Sequence, residues 1–188
     1  MAIVTFYNCD PKDAPKTTQG APLGANAILT WEGKLLLEKR RDSDIWGMVG
    51  GGCKKWETGR DAIAREVYEE LGVRIPKEKF VKLAVYDNPG RIAAYRDGSI
   101  WRMVNVIYGY EFPEEPVLRI SSESKELRFF TREEIKDIEI AITHADIVDD
   151  WFTNKYRCGT SEAVMEQADS HGYSLGACLS GCILQNRR

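Results

Sequence analysis

Four glutamates and an arginine crowd into a short stretch directly after a run of glycines. They are Glu57, Arg65, Glu66, Glu69 and Glu70, in the segment GGGCKKWETGRDAIAREVYEELGV that begins at Gly50. On a helix, residues three and four apart share a face, so Glu66 stands beside both Glu69 and Glu70. Like charges one turn apart repel, and local stability is given up unless something neutralises them. Clustered carboxylate oxygens are hard ligands suited to Mg²⁺, with Mn²⁺ as the alternative. Such an ion polarises a phosphoryl group and acidifies bound water. The glycines let backbone approach the same ion, or a diphosphate, closely. Arg65 stands four residues before Glu69 and could pair with it, or with Glu57 as the loop folds back. For REVYEE alone, a solvated helix with ordinary ion pairs is the better explanation.

The longer spacing favours chemistry. Gly51, five residues, Glu57, seven residues, Arg65-Glu66, Val67, one residue, Glu69-Glu70, one residue, Gly72 and Val73 form one continuous pattern. In this pattern the chain resembles the Nudix hydrolase family, and the flanking strands and the ELRFFTREEI segment extend the resemblance. The resemblance implies an α/β fold, an αβα sandwich around a mixed β-sheet. It also implies hydrolysis of a nucleoside diphosphate linked to another moiety, with water and a divalent metal, usually Mg²⁺. Glu66 and Glu70 would be core metal ligands, with Glu57, Glu69 and a backbone carbonyl of Gly50 or Gly51 completing the site. Arg65 would orient the glutamates. The proton acceptor would be Glu66, Glu70 or an acid from a later loop, for which Glu126 and Glu123 are candidates. Three positions depart from the usual pattern: Val49, Lys54 and Trp56 stand where the family often has proline, an acid and glycine.

Substrate contacts rest on fewer residues. Arg40, Arg41 and Arg102 could clamp phosphates bidentately. Trp46 stands where relatives often carry a tryptophan near the pocket, with a core aromatic as the alternative. Pro89 follows Val73 at the separation that members acting on ADP-ribose tend to show, so an ADP-ribose-like substrate is favoured. The alternatives are cleavage of nucleoside triphosphates, as in MutT-like enzymes, and a non-catalytic nucleotide-sensing module.

The elements that must position these residues alternate in type. Residues 24–31 and 34–40 read as a hairpin turning at Glu32-Gly33. Residues 45–52 read as a short strand breaking into glycines. Thr58 to Leu71 reads as a helix, capped by Thr58 with Asp61 reaching back, and Ile63, Val67 and Leu71 form its apolar stripe. That stripe leaves the carboxylates facing outward near the glycines. Residues 79–87 and 101–112 read as strands joined by a polar, turn-rich connection over 88–99. A strand over 126–131 leads into a helix opened by Thr131 and Glu134. Thr143 and Asp146 repeat the capping pattern for a helix ending near Phe152. The division expected is a lead-in over 1–19, a Nudix-like domain over 20–153 and an extension over 154–188.

The chain has 188 residues and a net charge of −3, with a pI near 5.6. That balance argues against nucleic-acid binding by bulk electrostatics. No apolar run reaches the ~20 residues of a membrane span, and the N-terminus lacks the pattern of a signal peptide. Five unevenly spread cysteines fit reduced thiols better than a disulfide framework. A cytoplasmic enzyme acting on a small nucleotide is the expectation. Small residues in the extension suggest packing in a homodimer, and Cys158, His171, Cys178 and Cys182 have zinc chemistry without zinc spacing.

Overall fold

A computed structural model describes residues 4–41 and 44–157. Two antiparallel strands, β2 (Leu23–Trp31) and β3 (Lys34–Arg40), form the expected hairpin. Its two-residue turn places Glu32 at φ 48° and Gly33 at φ 72°. Positive φ at both positions matches the twist of the flanking strands. The hairpin lies in a seven-stranded mixed sheet of order β10-β3-β2-β9-β6. The other members are β6 (Val81–Tyr86), β9 (Val104–Glu111) and β10 (Ser124–Phe130). Two short strands, β4 (Trp46–Gly47) on β3 and β5 (Gly50–Gly52) on β2, complete it. β2 and β9 run parallel and every other pairing is antiparallel.

Helix α1 (Gly59–Leu71) follows the glycine strand. The Thr58 hydroxyl accepts from the Asp61 N–H and the Asp61 carboxylate accepts from the Thr58 N–H, the reciprocal capping box read in the sequence. Gly72 ends the helix in the left-handed conformation at φ 73°. Ile63, Val67 and Leu71 are fully buried against Ala25, Ala27 and Leu29 of β2. Each such side chain contributes roughly 1.5–3 kcal/mol, enough to fix which face of α1 remains for the acids. Between those β2 residues, Ile28 and Thr30 alternate to the sheet's other side and are buried there too.

Several expectations change. The segment 45–52 is two strands rather than one, and its glycines pair with β2 instead of forming a loop. The connection 88–99 contains a strand, β7 (Arg91–Tyr95), and the expected strand 101–112 divides at Met103 into β8 (Ile100–Arg102) and β9. β7 and β8 turn at Asp97-Gly98, where Gly98 has φ 87° and Asp97 accepts from the Ser99 N–H and hydroxyl. With β1 (Val4–Asn8), which lies within the expected lead-in, they make a second sheet of order β1-β7-β8. The Thr131–Glu134 box forms but opens only a 3₁₀ turn, Glu134–Asp137. Beyond it the chain is drawn extended by hydrogen bonds that Trp46 makes to Glu139 and Ala141.

The last helix, α2, spans Ile142–Phe152, but Thr143 and Asp146 do not cap it. Thr143 already lies inside the helix, and Arg91 engages the pair: the Asp146 carboxylate accepts two bonds, of 2.8 and 2.6 Å, and the Thr143 backbone carbonyl accepts one of 2.5 Å. The chain divides into two compact units, Met1–Val148 and Asp149–Arg188. In the second unit the described residues are the end of α2 and a 3₁₀ turn, Lys155–Arg157, with Trp151 stacked on Tyr156. The expected zinc-type residues and small-residue packing face lie outside the described residues. Among the described residues no helix is long and apolar enough to cross a membrane.

Candidate active site

The backbone of β5 sets the geometry. Gly50 has φ 140°, and a Cβ there would stand 2.2 Å from the Ala25 carbonyl oxygen, so only glycine fits against β2. Its N–H donates to Glu70 Oε2 at 3.0 Å. At Gly51 a Cβ would stand 2.5 Å from Glu66 Oε1. Two carboxylates of α1 therefore lie directly on two successive glycines of the sheet. Glu70 turns inward here rather than outward, as the apolar stripe alone had suggested.

Arg65 organises the remaining acids. Its Nε and Nη2 donate to the two oxygens of Glu57 at 2.7 and 3.0 Å. Nη1 donates to Glu66 Oε1 at 2.6 Å and Glu69 Oε2 at 3.1 Å, and Nη2 also donates to the Gly52 carbonyl at 3.0 Å. These bonds match the five N–H groups of a guanidinium. The Arg65 bonds, with the Lys54 N–H, hold the Glu57 carboxyl down at about 2. Glu69 is the most exposed of the group.

Glu70 behaves in the opposite sense. Burial, then the charge of Glu38, pushes its carboxyl up to about 8; Glu66 and Glu123 add to this against the opposing Gly50 bond. Glu38 is itself buried on β3, where it accepts from the Ser124 hydroxyl at 2.7 Å. Among the described residues no three such side chains converge tightly enough to hold an ion as they stand. Yet the donor set fits a hard divalent cation. The charges of Glu38, Glu66 and Glu123 accumulate around Glu70, and Gly50 and Gly51 carry no side chain to stand between the carboxylates and the sheet.

Glu70 of α1, with Glu38 and Gly50–Gly52 of the large sheet, lines a cavity of about 700 Å³ whose other wall carries aromatic residues of the small sheet. The structure thus gathers Gly50, Glu57, Arg65, Glu66, Glu69 and Glu70. Arg40 also lines the cavity. Of the expected substrate contacts and later acids, Arg41, Trp46, Arg102 and Glu126 do not. Arg41 Nη2 donates to the Ser124 carbonyl at 3.0 Å instead. Trp46 is buried edge-on against Phe130, with ring centroids 4.7 Å apart, so it serves the core. Arg102 projects from β8 on the side opposite its cavity-lining neighbours and donates to the Asp87 carbonyl. Glu126 is exposed on the edge strand β10, opposite Lys39, whereas the charge of Glu123 reaches Glu70.

Several residues of this cavity escaped the sequence reading. Asn26 and Asn105 are buried amides on neighbouring strands, and Asn105 Nδ2 donates to Asn26 Oδ1 at 3.1 Å. Their only sequence signal is polarity inside otherwise apolar strands. His144, in the first turn of α2, lines the cavity; its Nδ1 accepts from the Met48 N–H at 3.0 Å. Burial, helped by the charges of Arg91 and Arg40, pushes its imidazole down to about 4. It is therefore neutral at pH 7, with its proton on Nε2.

Comparison with known proteins gives a consistent picture. A model of the NUDIX domain matches residues 21–151. A MutT-like protein of Streptomyces ambofaciens is 28% identical over 132 residues, covering 70% of this chain and 77% of that protein. A MutT/nudix family protein from Enterococcus faecalis is 27% identical with a TM-score of 0.50, covering 63% of this chain and 46% of that one. A bifunctional NMN adenylyltransferase/ADP ribose pyrophosphatase from Francisella tularensis, complexed with AMP and a Mn ion, shares the fold. It is 20% identical with a TM-score of 0.56, covering 79% of this chain and 44% of its own. The chain spans less than half the length of these two structural relatives.

Proposed function

The chain belongs to the NUDIX family, and from that premise we propose that it hydrolyses the diphosphate linkage of a nucleoside diphosphate joined to a second moiety, with an ADP-ribose-like substrate preferred and Mg²⁺ as cofactor. Nudix hydrolases are pyrophosphohydrolases that use divalent metals. The observation that carries the reading is the placement of Glu66 and Glu70 on Gly51 and Gly50, beside a cavity large enough for a nucleotide.

Glu66 and Glu70 would hold the ion, joined by the Gly50 carbonyl and by Glu57 and Glu69. When bound, the ion supplies charge stabilisation for the diphosphate oxygens and acidifies water. The protein's own groups do the rest. Arg65 keeps Glu57, Glu66 and Glu69 in one arrangement before substrate arrives, so little reorganisation remains for the reaction. A carboxylate of this cluster takes the proton of the attacking water. The later-loop acid suited to assist is Glu123 rather than Glu126, because its charge reaches Glu70. Arg40, on the cavity wall, supplies positive charge for phosphate oxygens.

A second reading, cleavage of nucleoside triphosphates, is favoured by the MutT-like relative. One screen separates the two. Product formation (two phosphomonoesters from ADP-ribose or a sugar nucleotide, a monophosphate and pyrophosphate from a dNTP) is followed chromatographically over ADP-ribose, sugar nucleotides, dNTPs and dinucleotides, with and without Mg²⁺. We expect metal-dependent turnover of ADP-ribose that Glu66→Gln nearly abolishes in a folded protein. Turnover surviving chelation would sink the metal mechanism. Turnover of triphosphates alone would replace the substrate and keep the mechanism.

A further inference from the structure

The small sheet turns one face to the cavity, and that face has a regular pattern. Phe6 of β1 pairs with Ala93 of β7, and Ala93 pairs with Trp101 of β8. Directly paired residues project from the same face of a sheet, so Phe6, Ala93 and Trp101 form one cross-strand row. Tyr95, two residues beyond Ala93, shares that face. All four line the same cavity as Glu70 and Gly50–Gly52. Ile92 and Arg102, paired with each other, alternate to the opposite side.

The row is large, small, large. Neighbouring strands lie about 4.8 Å apart, which puts the outer two roughly 10 Å apart. Ala93 projects only a methyl group between them and is 4% exposed, whereas Phe6 is 41% exposed and Tyr95 37%. A planar ring stacked between two aromatic side chains, at about 3.5 Å from each, needs a gap of about 7 Å. Strand spacing gives the row a gap of that scale over Ala93, which is covered in the free protein, so the flanking rings part as a base enters. Large rings left uncovered beside a cavity indicate an apolar partner.

We infer that Phe6 and Trp101 form an aromatic clamp that stacks the nucleobase of the substrate over Ala93, while the diphosphate lies toward Glu66 and Glu70. This rests on the proposed hydrolysis, because the slot opens into the cavity that the carboxylates border. The clamp also explains why β1, at the far N-terminal side of the domain, is paired onto β7: without it the slot has one wall.

The test compares AMP with ribose 5-phosphate, two probes that differ only by the base, in equilibrium binding by calorimetry. The full chain should bind AMP more tightly by at least about fivefold, the lower end of base–aromatic stacking. Trp101→Ala and Phe6→Ala should each remove most of that preference, and Trp101→Phe should keep most of it. Ala93→Leu retains both aromatic residues and fills the slot, so it too should erase the preference, and it decides the matter if Trp101→Ala does not fold. Equal binding of the two probes by the unaltered protein would overturn the clamp. So would an AMP preference that survives both Trp101→Ala and Ala93→Leu. An AMP preference without metal-dependent turnover of any diphosphate would support the clamp and sink the proposed reaction instead.

Discussion

The carboxylate of Glu66 occupies the space that a side chain on residue 51 would need: a Cβ at Gly51 would stand 2.5 Å from its Oε1. The backbone at Gly51 is not in the left-handed region, so alanine there meets no conformational penalty, only the carboxylate. Gly51→Ala should therefore leave the fold intact and push Glu66 aside by several tenths of an ångström or more. Misplacement on the scale of 1 Å lowers rates on the order of 10²-fold. Steady-state kinetics beside a melting curve checks this. Unchanged activity would remove Glu66 from the chemistry.

Arg65 engages Glu57, Glu66, Glu69 and the Gly52 carbonyl through a planar fork. Lysine cannot reproduce that geometry, since its ammonium is a point charge with three donors. Arg65→Lys should reduce activity about 10–100-fold and weaken metal affinity with it, as loss of an orienting partner does. Titration of Mg²⁺ against activity separates the two effects. Loss of activity at saturating metal with unchanged metal affinity would contradict an orienting role.

Glu70 links metal to pH. Its carboxyl is raised from 4.5 to about 8, so the metal-free protein is favoured while this group keeps its proton. Stability from this source is present below about pH 4.5 and is lost as pH rises through about 8. Glu70→Gln keeps an acceptor for the Gly50 N–H and removes the titration. In chelator at pH 8, Glu70→Gln should melt above the unaltered protein; with Mg²⁺ the order should narrow or reverse. Identical melting of the two proteins in chelator across this range would refute the account.

Much of this site was readable in advance, and the reasons are local. Thr58, Asp61, Ile63, Val67, Leu71 and Gly72 specify α1 by caps and spacing within one helix. The glutamates follow because helical period fixes their relative positions. What escaped depends on distant pairings. The run RIAAY resembles a connection because its partner strand, Val4–Asn8, lies far away in the sequence. Thr143 and Asp146 satisfy the local rule for a cap, but the helix begins one residue earlier, at Ile142, and the Asp146 carboxylate goes to the buried Arg91. Glu38 and Asn26 read as polar interruptions of strands, and only the fold brings them to the cavity of Glu70. Trp46 shows the converse error: its place along the chain suggested a pocket, and its packing on Phe130 puts it in the core.

His144 carries the last prediction, because its titration runs opposite to that of Glu70. The imidazole falls from 6.5 to about 4, through burial first and then the charges of Arg91 and Arg40. The unfolded chain therefore binds the extra proton across that window, and stability rises with pH there. The contribution is complete above about pH 6.5 and is lost as pH falls toward 4. At 1.36 kcal/mol per unit the full effect is about 3 kcal/mol. Protonation would also convert Nδ1 from acceptor to donor and break its bond from the Met48 N–H, the contact that seats α2 beneath β4. His144→Gln keeps a side-chain acceptor without a proton to gain. Between pH 6.5 and 4 the unaltered protein should lose more stability than His144→Gln, measured by denaturant midpoints. Parallel curves would show that His144 does not carry this pH dependence.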